Sequence, residues 1–429
     1  MNPLLRNQPA MITFACTFAL LGGCGGAADG GEASTAEPLD AGKSVVISSH
    51  GPNVVSIWNE AAFRTAGLSN DLVTVHLAMY DAVIAIAATH QPYAIRPTTS
   101  GAGAGAVAME AAAIEAAYRV LKALFPAGGA NYETAYSDGI GALPGGDDKA
   151  RGMAIGAEVA AGMLALRAND GRLTVLAPYV AGTLPGQFRG ANPVNRIAPY
   201  VRPFATLSHS QFRAPGPLAL GSSAYAVDFN EVRTMAAADS TQRSAEQTEL
   251  ARFHTEPPPL FWSRNLRRFA TANATLVDNV RLTAMLWTAY QDAISGCFES
   301  KYHYNFWRPT SAITLAESDG NAATVADAAW APVVPTPNHP EYPAAHGCGS
   351  GAVAEVVRSF YETKSVVFEF DSSITGLTHH YARTDDLVKE VIDARVWGGM
   401  HFRTSGEHGA ELGKQVAKWV VKNHFQAIR

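Results

Sequence analysis

The chain has 429 residues, 47% of them hydrophobic and 17% charged, with a formal net charge of −5. That length and apolar content support a substantial core in one large or two coupled units. The slightly acidic balance, without a basic run or an aromatic-basic repeat, excludes a general nucleic-acid binder.

The N-terminus reads as a targeting segment. Arg6 supplies a thin positive region, and Met11 to Leu21 a short apolar one, too short to span a bilayer comfortably. It ends in Leu21-Gly22-Gly23-Cys24, which resembles a bacterial lipobox. The resemblance implies a lipoprotein signal peptide over residues 1–23 and lipidation of Cys24. The chain is then expected to be exported and lipid-anchored to a bacterial membrane, periplasmic or at the cell surface. An ordinary secretory signal with an incidental cysteine is the plainer alternative. Residues 24–50 are rich in Gly, Ala, Ser and acids, and read as a flexible tether. No later stretch shows the length and purity of a transmembrane helix, so membrane contact is expected only through the N-terminal lipid.

Residues 53–66 and 69–88 show helical apolar spacing. The GAGAGA stretch at 101–106 lacks a following GK[ST] and reads as a small-residue helix start, not a phosphate loop. That helix extends to about Phe125, and another, Ala-rich, covers 148–168. Residues 172–222 carry many Pro, Gly and aromatic residues with little periodicity, and read as the connection from one helical bundle to a second. Helices resume at about 224–237, 243–254, 258–271, 276–296, 385–398 and 404–424, and 365–370 (SVVFEF) is the one convincing strand. The fold class is all-α: an N-terminal helical domain over 51–205 and a C-terminal one over 206–429.

Three stretches carry chemistry. In Lys301-Tyr-His-Tyr-Asn-Phe-Trp-Arg308-Pro309 the two cations are seven apart, two helical turns, so on one helix both face one point. Their aromatic neighbours point to burial, and a buried cation needs an anionic partner. In the second stretch, PNHPEYPAAHGCGS from Pro337 to Ser350, the prolines hold the backbone extended, with Pro343 close to the first turn of the helix that follows. His346 arrives as an apolar pattern begins and runs to about Tyr361. A helix N-terminus approached through small residues favours an anion, and His346 beside it is placed to donate a proton. In the third, Arg395 and His401 are six apart with Gly398-Gly399 between. A helix that ends at the glycines and turns back would bring them together.

Cys16 leaves with the signal and Cys24 would carry lipid, which leaves Cys297 and Cys348 in an oxidising compartment. A disulfide and two buried thiols are both open readings. No Cys/His spacing matches a zinc site, and the adjacent pair His379-His380 points two ways on any regular element.

Lys-x6-Arg-Pro, then Pro-x-x-His, then Arg-x5-His, in that order, resembles the vanadium-dependent haloperoxidases and the type-2 phosphatidic acid phosphatase superfamily. HLAMYDAV from His76, SQFRAPGPLAL from Ser210 and FNEVRTMA from Phe229 resemble the bacterial haloperoxidase-like branch. The resemblance implies that Lys301, Arg308 and Arg395 bind the oxygens of vanadate or phosphate, with the Ala345 N–H as a further donor. His401 would be the axial vanadium ligand or, with phosphate, the nucleophile. His346 would be the general acid/base. His339 stands where the family varies with halide, and implies bromide or iodide rather than chloride. Phe298 falls where relatives carry an aromatic near the site, which packing alone explains equally well.

Three positions depart from the family pattern. Ala344 replaces a serine whose hydroxyl would donate to the oxyanion, and Ala394 replaces a serine before Arg395. Ser405 replaces an aspartate that orients the histidines, with Glu407 as the nearby substitute. The leading expectation is a vanadate-dependent haloperoxidase acting on hydrogen peroxide and halide, which the long N-terminal helical half favours over the small acid phosphatases. The alternatives are an acid phosphatase-type phosphomonoesterase working through a phosphohistidine, and a catalytically weakened oxyanion-binding surface lipoprotein.

Overall fold

The computed structural model describes residues 42–48, 51–66 and 69–428. The expected signal peptide, Cys24 and most of the tether lie outside these residues. Five helices build the first bundle: α1 Val54–Ala66, α2 Ser69–Ala87, α3 Ala106–Leu124, α4 Gly129–Ala142 and α5 Asp147–Arg167. Leu72, Val73, Val75, Leu77, Ala78 and Met79 of α2 are all buried, and so are the polar Thr74, His76 and Asp81, so this helix is buried on every face because it lies in the core. Its span Asn70–Ala87 has the length and apolarity to cross a membrane, contrary to the expectation that no later stretch would, and 83% of it is buried inside the protein. The weakly patterned α4 escaped the sequence reading: its Gly-containing GANYETAYSDGIGA sequence buries only Tyr132.

The second bundle follows with α6 Ser223–Met235, α7 Ala245–Phe253, α8 Pro258–Leu266, α9 Leu276–Tyr304, α10 Pro309–Thr314, α11 Ala345–Tyr361, α12 Thr384–Trp397 and α13 Arg403–Asn423. Helix α9 belongs to both bundles, packing on α2 and on α11 and α13. Asp292 in its middle accepts the N–H groups of Phe204, Ala205 and Thr206 at 2.7–2.8 Å, fastening the end of the long connection to the shared core. Further back, the connection lies along the start of the second bundle: Phe188 N–H donates to Asn305 C=O, Trp307 N–H to Gly186 C=O and Val194 N–H to Asn338 C=O.

A three-stranded sheet adds to the helices, in the order β1 Val45–Val46, β2 Val366–Asp371 and β3 Thr378–Tyr381, with β1 parallel and β3 antiparallel to β2. The sequence reading held one strand only. It also assigned residues 43–47 to the tether, and there the structure corrects it: Val45 and Ile47 N–H donate to Ser365 and Val367 C=O, and Lys43 C=O accepts the Thr363 hydroxyl. Three consecutive β-branched residues, Val45-Val46-Ile47, add a strand to an open sheet edge.

Candidate oxyanion site

Helix α9 ends one turn beyond Lys301. Asn305 takes the left-handed conformation (φ 50°) and its N–H returns to Lys301 C=O at 2.8 Å. Arg308 is extended (φ −79°, ψ 156°) and caps α10, with Pro309 in the first turn. Lys301 and Arg308 therefore do not sit two turns apart on one helix, as their spacing suggested. Proline cannot continue α9, and the chain reverses before it. The two cations converge because both reach consecutive carbonyls of one segment, His339 to Glu341. Lys301 Nζ donates to Pro340 C=O at 3.0 Å and Glu341 C=O at 2.8 Å, and Arg308 Nε donates to His339 C=O at 2.7 Å.

Helix α12 carries Arg395 in its last turn and stops at Trp397. Gly399 is left-handed (φ 79°), and a Cβ there would stand 2.6 Å from Pro332 Cβ, so glycine is required on both counts. The turn sends the Met400 and His401 N–H groups back to Arg395 C=O at 3.1 and 3.2 Å. Arg308 Nη1 then donates to Met400 C=O at 2.7 Å and lies 3.2 Å from His401 Nε2. Arg395 Nη1 donates to His254 C=O at 3.1 Å, while its buried Nε has no hydrogen-bond partner.

The third wall is the start of α11. Its N-cap, Ala344, offers no side-chain oxygen, and Ala344 N–H donates to Ser405 C=O at 2.9 Å. The N–H groups of Ala345, His346 and Gly347 are the orphan donors of a helix N-terminus. Pro343 precedes the cap and so lies outside the first turn. Cys297 on α9 and Cys348 on α11 are joined by a disulfide, which ties the Lys301 helix to the His346 helix.

The electrostatics are lopsided. Lys301, Arg308 and Arg395 are no more than 2% exposed, and Glu341, fully buried, is the carboxylate set against them. Burial, then repulsion from Arg308 and Arg395, holds the Lys301 ammonium well below its ordinary pKa. Burial pushes Arg308 down to about 10, and burial with Arg308 pushes Arg395 down to about 9. Burial raises Glu341 to about 7 against the pull of Lys301 and Arg308. His339, His346 and His401 are kept neutral by burial and by these same cations. Three buried cations against one carboxylate, an unpartnered guanidinium nitrogen and an uncapped helix start fit a multiply charged tetrahedral oxyanion such as vanadate or phosphate. Among the described residues no three His, Cys, Asp or Glu side chains form a metal cage, so a vanadium centre here would rest on hydrogen bonds and a single histidine nitrogen.

The remaining candidates fall as follows. Arg308 Nη2 lies 2.9 Å from His339 Nδ1 and 3.2 Å from its Nε2, and Nδ1 lies 3.1 Å from Pro340 C=O. The Phe298 ring packs 5.1 Å from that imidazole and 6.0 Å from Lys301 Nζ. Glu407 is exposed and does not replace the aspartate expected at 405; Ser405 is buried with an unpartnered hydroxyl. The carboxylate on His401 is one the sequence reading passed over: Glu341 Oε1 accepts His401 Nδ1 at 2.9 Å. Its signal was an acid between two prolines of a motif already singled out. His379 bridges Glu390 and Glu249 at 3.0 and 3.1 Å, while exposed His380 lies 3.4 Å from Glu369, so the pair divides between two sets of carboxylates.

Two helical bundles sharing one long helix, with an oxyanion cradle in the second, define a fold of the vanadium haloperoxidase type. Residues 281–429 match the family model of the VCPO second helical-bundle domain. Over 152 residues it is 30% identical to vanadium chloroperoxidase of Curvularia inaequalis, covering 29% of this chain and 24% of that protein, so it spans about a quarter of that relative's length. A bacterial vanadium-dependent iodoperoxidase structure superposes with a TM-score of 0.67 at 20% identity, over 89% of this chain and 100% of that one. The holo form of a bacterial vanadium-dependent chloroperoxidase gives 0.66 at 16% identity, over 87% and 94%.

Proposed function

We propose that the protein is a vanadate-dependent haloperoxidase that oxidises bromide or iodide, in preference to chloride, with hydrogen peroxide. The observation that carries the proposal is the convergence of Lys301, Arg308 and Arg395 with His401 on one buried site whose positive charge a single carboxylate opposes. Vanadate, when bound, supplies the electrophilic centre at which peroxide is activated toward halide. The chain's own part is binding and proton management. Lys301, Arg308 and Arg395 hold the oxygens through charge-assisted hydrogen bonds contributing about 1.5–3 kcal/mol each. Ala345 N–H and its neighbours at the α11 start add neutral donors. His401 Nε2 would be the nitrogen that holds the vanadium. Neutral His346 accepts a proton from hydrogen peroxide at its imidazole nitrogen. His339 and Phe298 line the halide side, and the bromide or iodide preference rests on His339. Targeting belongs to the same proposal: export through residues 1–23, with lipid at Cys24, places this chemistry at a membrane surface.

A second reading has an observation of its own. The Glu341–His401 hydrogen bond is the arrangement that activates a histidine nucleophile, which favours phosphomonoester hydrolysis through His401. A paired assay separates the two. One arm supplies orthovanadate, peroxide and bromide or iodide with a dye that becomes halogenated; the other supplies a phosphate monoester without vanadate. Halide oxidation that requires vanadate and disappears in His401→Ala is the expected result. Phosphate release inhibited by vanadate moves the assignment to the phosphatase, and silence in both arms with vanadate bound leaves an oxyanion-binding relative.

A further inference from the structure

Glu341 ties the three motif stretches together. Its backbone N–H donates to Phe306 C=O at 2.9 Å, beside the first stretch's cations. Its C=O accepts Lys301 Nζ at 2.8 Å. Its carboxylate Oε1 accepts two donors from the third stretch, Phe402 N–H at 3.0 Å and His401 Nδ1 at 2.9 Å. The second oxygen, Oε2, is buried without a hydrogen-bond partner, as is the Ser405 hydroxyl. Both line one small cavity with Tyr225, Asp228 and Phe402.

The tautomer of His401 follows from this geometry. Oε1 already accepts the Phe402 N–H, so it acts as an acceptor toward the ring as well, and the shared proton sits on His401 Nδ1. Nε2 then keeps its lone pair, with Arg308 Nη1 donating toward it from 3.2 Å. A lone pair aimed into a cationic pocket is what a ligand or a nucleophile needs. We infer that Glu341 is the positioning residue for His401: from the middle motif it fixes the ring's tautomer and orientation, the task that residue 405, a serine here, does not perform. The inference deepens the proposed function, since it rests on His401 as the axial nitrogen or the nucleophile. It also explains how a chain without an acid at 405 keeps an oriented histidine.

The test reads the tautomer directly in protein free of vanadate and phosphate. Long-range proton–nitrogen correlation on histidine-labelled protein, with His401 assigned through His401→Gln, is expected to show Nδ1 protonated and Nε2 bare, with a nuclear Overhauser contact from the Nδ1 proton to the Glu341 side chain. Glu341→Ala should lose that signature, because no acceptor is then left for the Nδ1 proton. Its dissociation constant for orthovanadate alone should rise by about 10–100-fold. Moving the carboxylate, in the double variant E341A/S405D, should restore the Nδ1 proton. A wild-type His401 protonated on Nε2 overturns the inference, as does E341A retaining the Nδ1 proton with vanadate affinity within about twofold. Should E341A not fold, the wild-type spectrum decides alone. An intact Nδ1 signature in a protein that binds no orthovanadate leaves the Glu341 assignment standing and removes the haloperoxidase reading.

Discussion

The helix pairs α3/α5 and α11/α13 are built by the same device and serve different ends. In the first, a Cβ added at Gly156 would stand 2.5 Å from Ala112 C=O, and Gly152 meets Ala108 in the same way. In the second, a Cβ at Gly347 would stand 2.5 Å from Gly406 C=O, and Gly351 and Gly413 press on Ala410 and Cys348 likewise. Both pairs run in near backbone contact along small residues. The difference lies in the polar groups nearby. In the first bundle Asp81 accepts three N–H groups, from Tyr93, Ala94 and Ile95, and His76 meets Asn59. Beside α11/α13, Arg395 Nε, Ser405 Oγ and Glu341 Oε2 stand unpartnered among three buried cations. Tight packing and burial are common to both regions. What marks the site is charge left uncompensated at a place the packing holds rigid.

The sharpest way to break this comparison is at Arg395 and Asp81. Arg395→Met should lower halide oxidation by about 10²–10³-fold, the usual cost of one oxyanion donor. In ligand-free protein the same change should raise the melting temperature or leave it in place, because it removes a buried cation that lacks a carboxylate partner. Asp81→Asn should do the reverse: lose about 1.5–3 kcal/mol of stability with kcat unchanged. Thermal melts and steady-state rates on both variants check the pair, and an Arg395→Met protein that melts well below wild type removes the distinction.

The helix seams come next. Gly413→Ala and Gly156→Ala each place a methyl group against backbone and should each cost about 1–3 kcal/mol in urea denaturation. Only Gly413→Ala moves the start of α11 relative to α13. It should therefore also weaken orthovanadate binding, while Gly156→Ala leaves that affinity alone.

Acid sensitivity sharpens the contrast at the level of single histidines. Burial alone holds His76 down to about 3, whereas the site histidines are lowered by burial together with Arg308, Lys301 and Arg395. The sign is the same for all. Below the unfolded value of about 6.5 the unfolded chain takes up protons that the native chain refuses, so stability present at neutral pH is lost on acidification. Each such histidine contributes about 1.4 kcal/mol per pH unit. Phosphate bound in the site offsets the repulsion around His339, His346 and His401 but not the desolvation of His76. Stability measured from pH 7 to 5 should therefore fall less steeply with phosphate. His76→Gln should flatten the profile by one proton's worth whether phosphate is present or not.

Most helices were legible because α1 and α2 carry helical apolar spacing and α3 and α5 are long and Ala-rich, and the site motifs were legible because their residue types and order are rare. The path of the chain between motif residues was not. Lys301 and Arg308 read as one helix, but Asn305 and Pro309 break it, and the cations meet through carbonyls that no side-chain pattern encodes. Glu341 was hidden for a related reason: its partner His401 is 60 residues away, and only the fold brings them to 2.9 Å. Val45–Ile47 were lost to the tether because their partner strand begins only at Val366. Long-range pairing, through backbone groups above all, is what the linear pattern leaves out.

The smallest predicted effect tests whether the α11 start is truly an anion site. Ala344 is fully buried, sits at the N-cap with extended backbone (φ −72°, ψ 118°), and contributes no hydroxyl. Ala344→Ser introduces a hydroxyl with two possible employments. In ligand-free protein it accepts an orphan N–H of the first turn and stabilises the helix by about 0.5–2 kcal/mol. With an oxyanion bound, the same hydroxyl can donate to it instead, a charge-assisted bond of about 1.5–3 kcal/mol that gives up the cap. The difference is about 1 kcal/mol, so orthovanadate affinity should rise several-fold together with a modest gain in melting temperature. A gain in melting temperature with unchanged affinity would mean that the hydroxyl only caps α11 and that the bound oxygens lie out of its reach. In that case Lys301, Arg308 and Arg395 hold the oxyanion without help from residue 344.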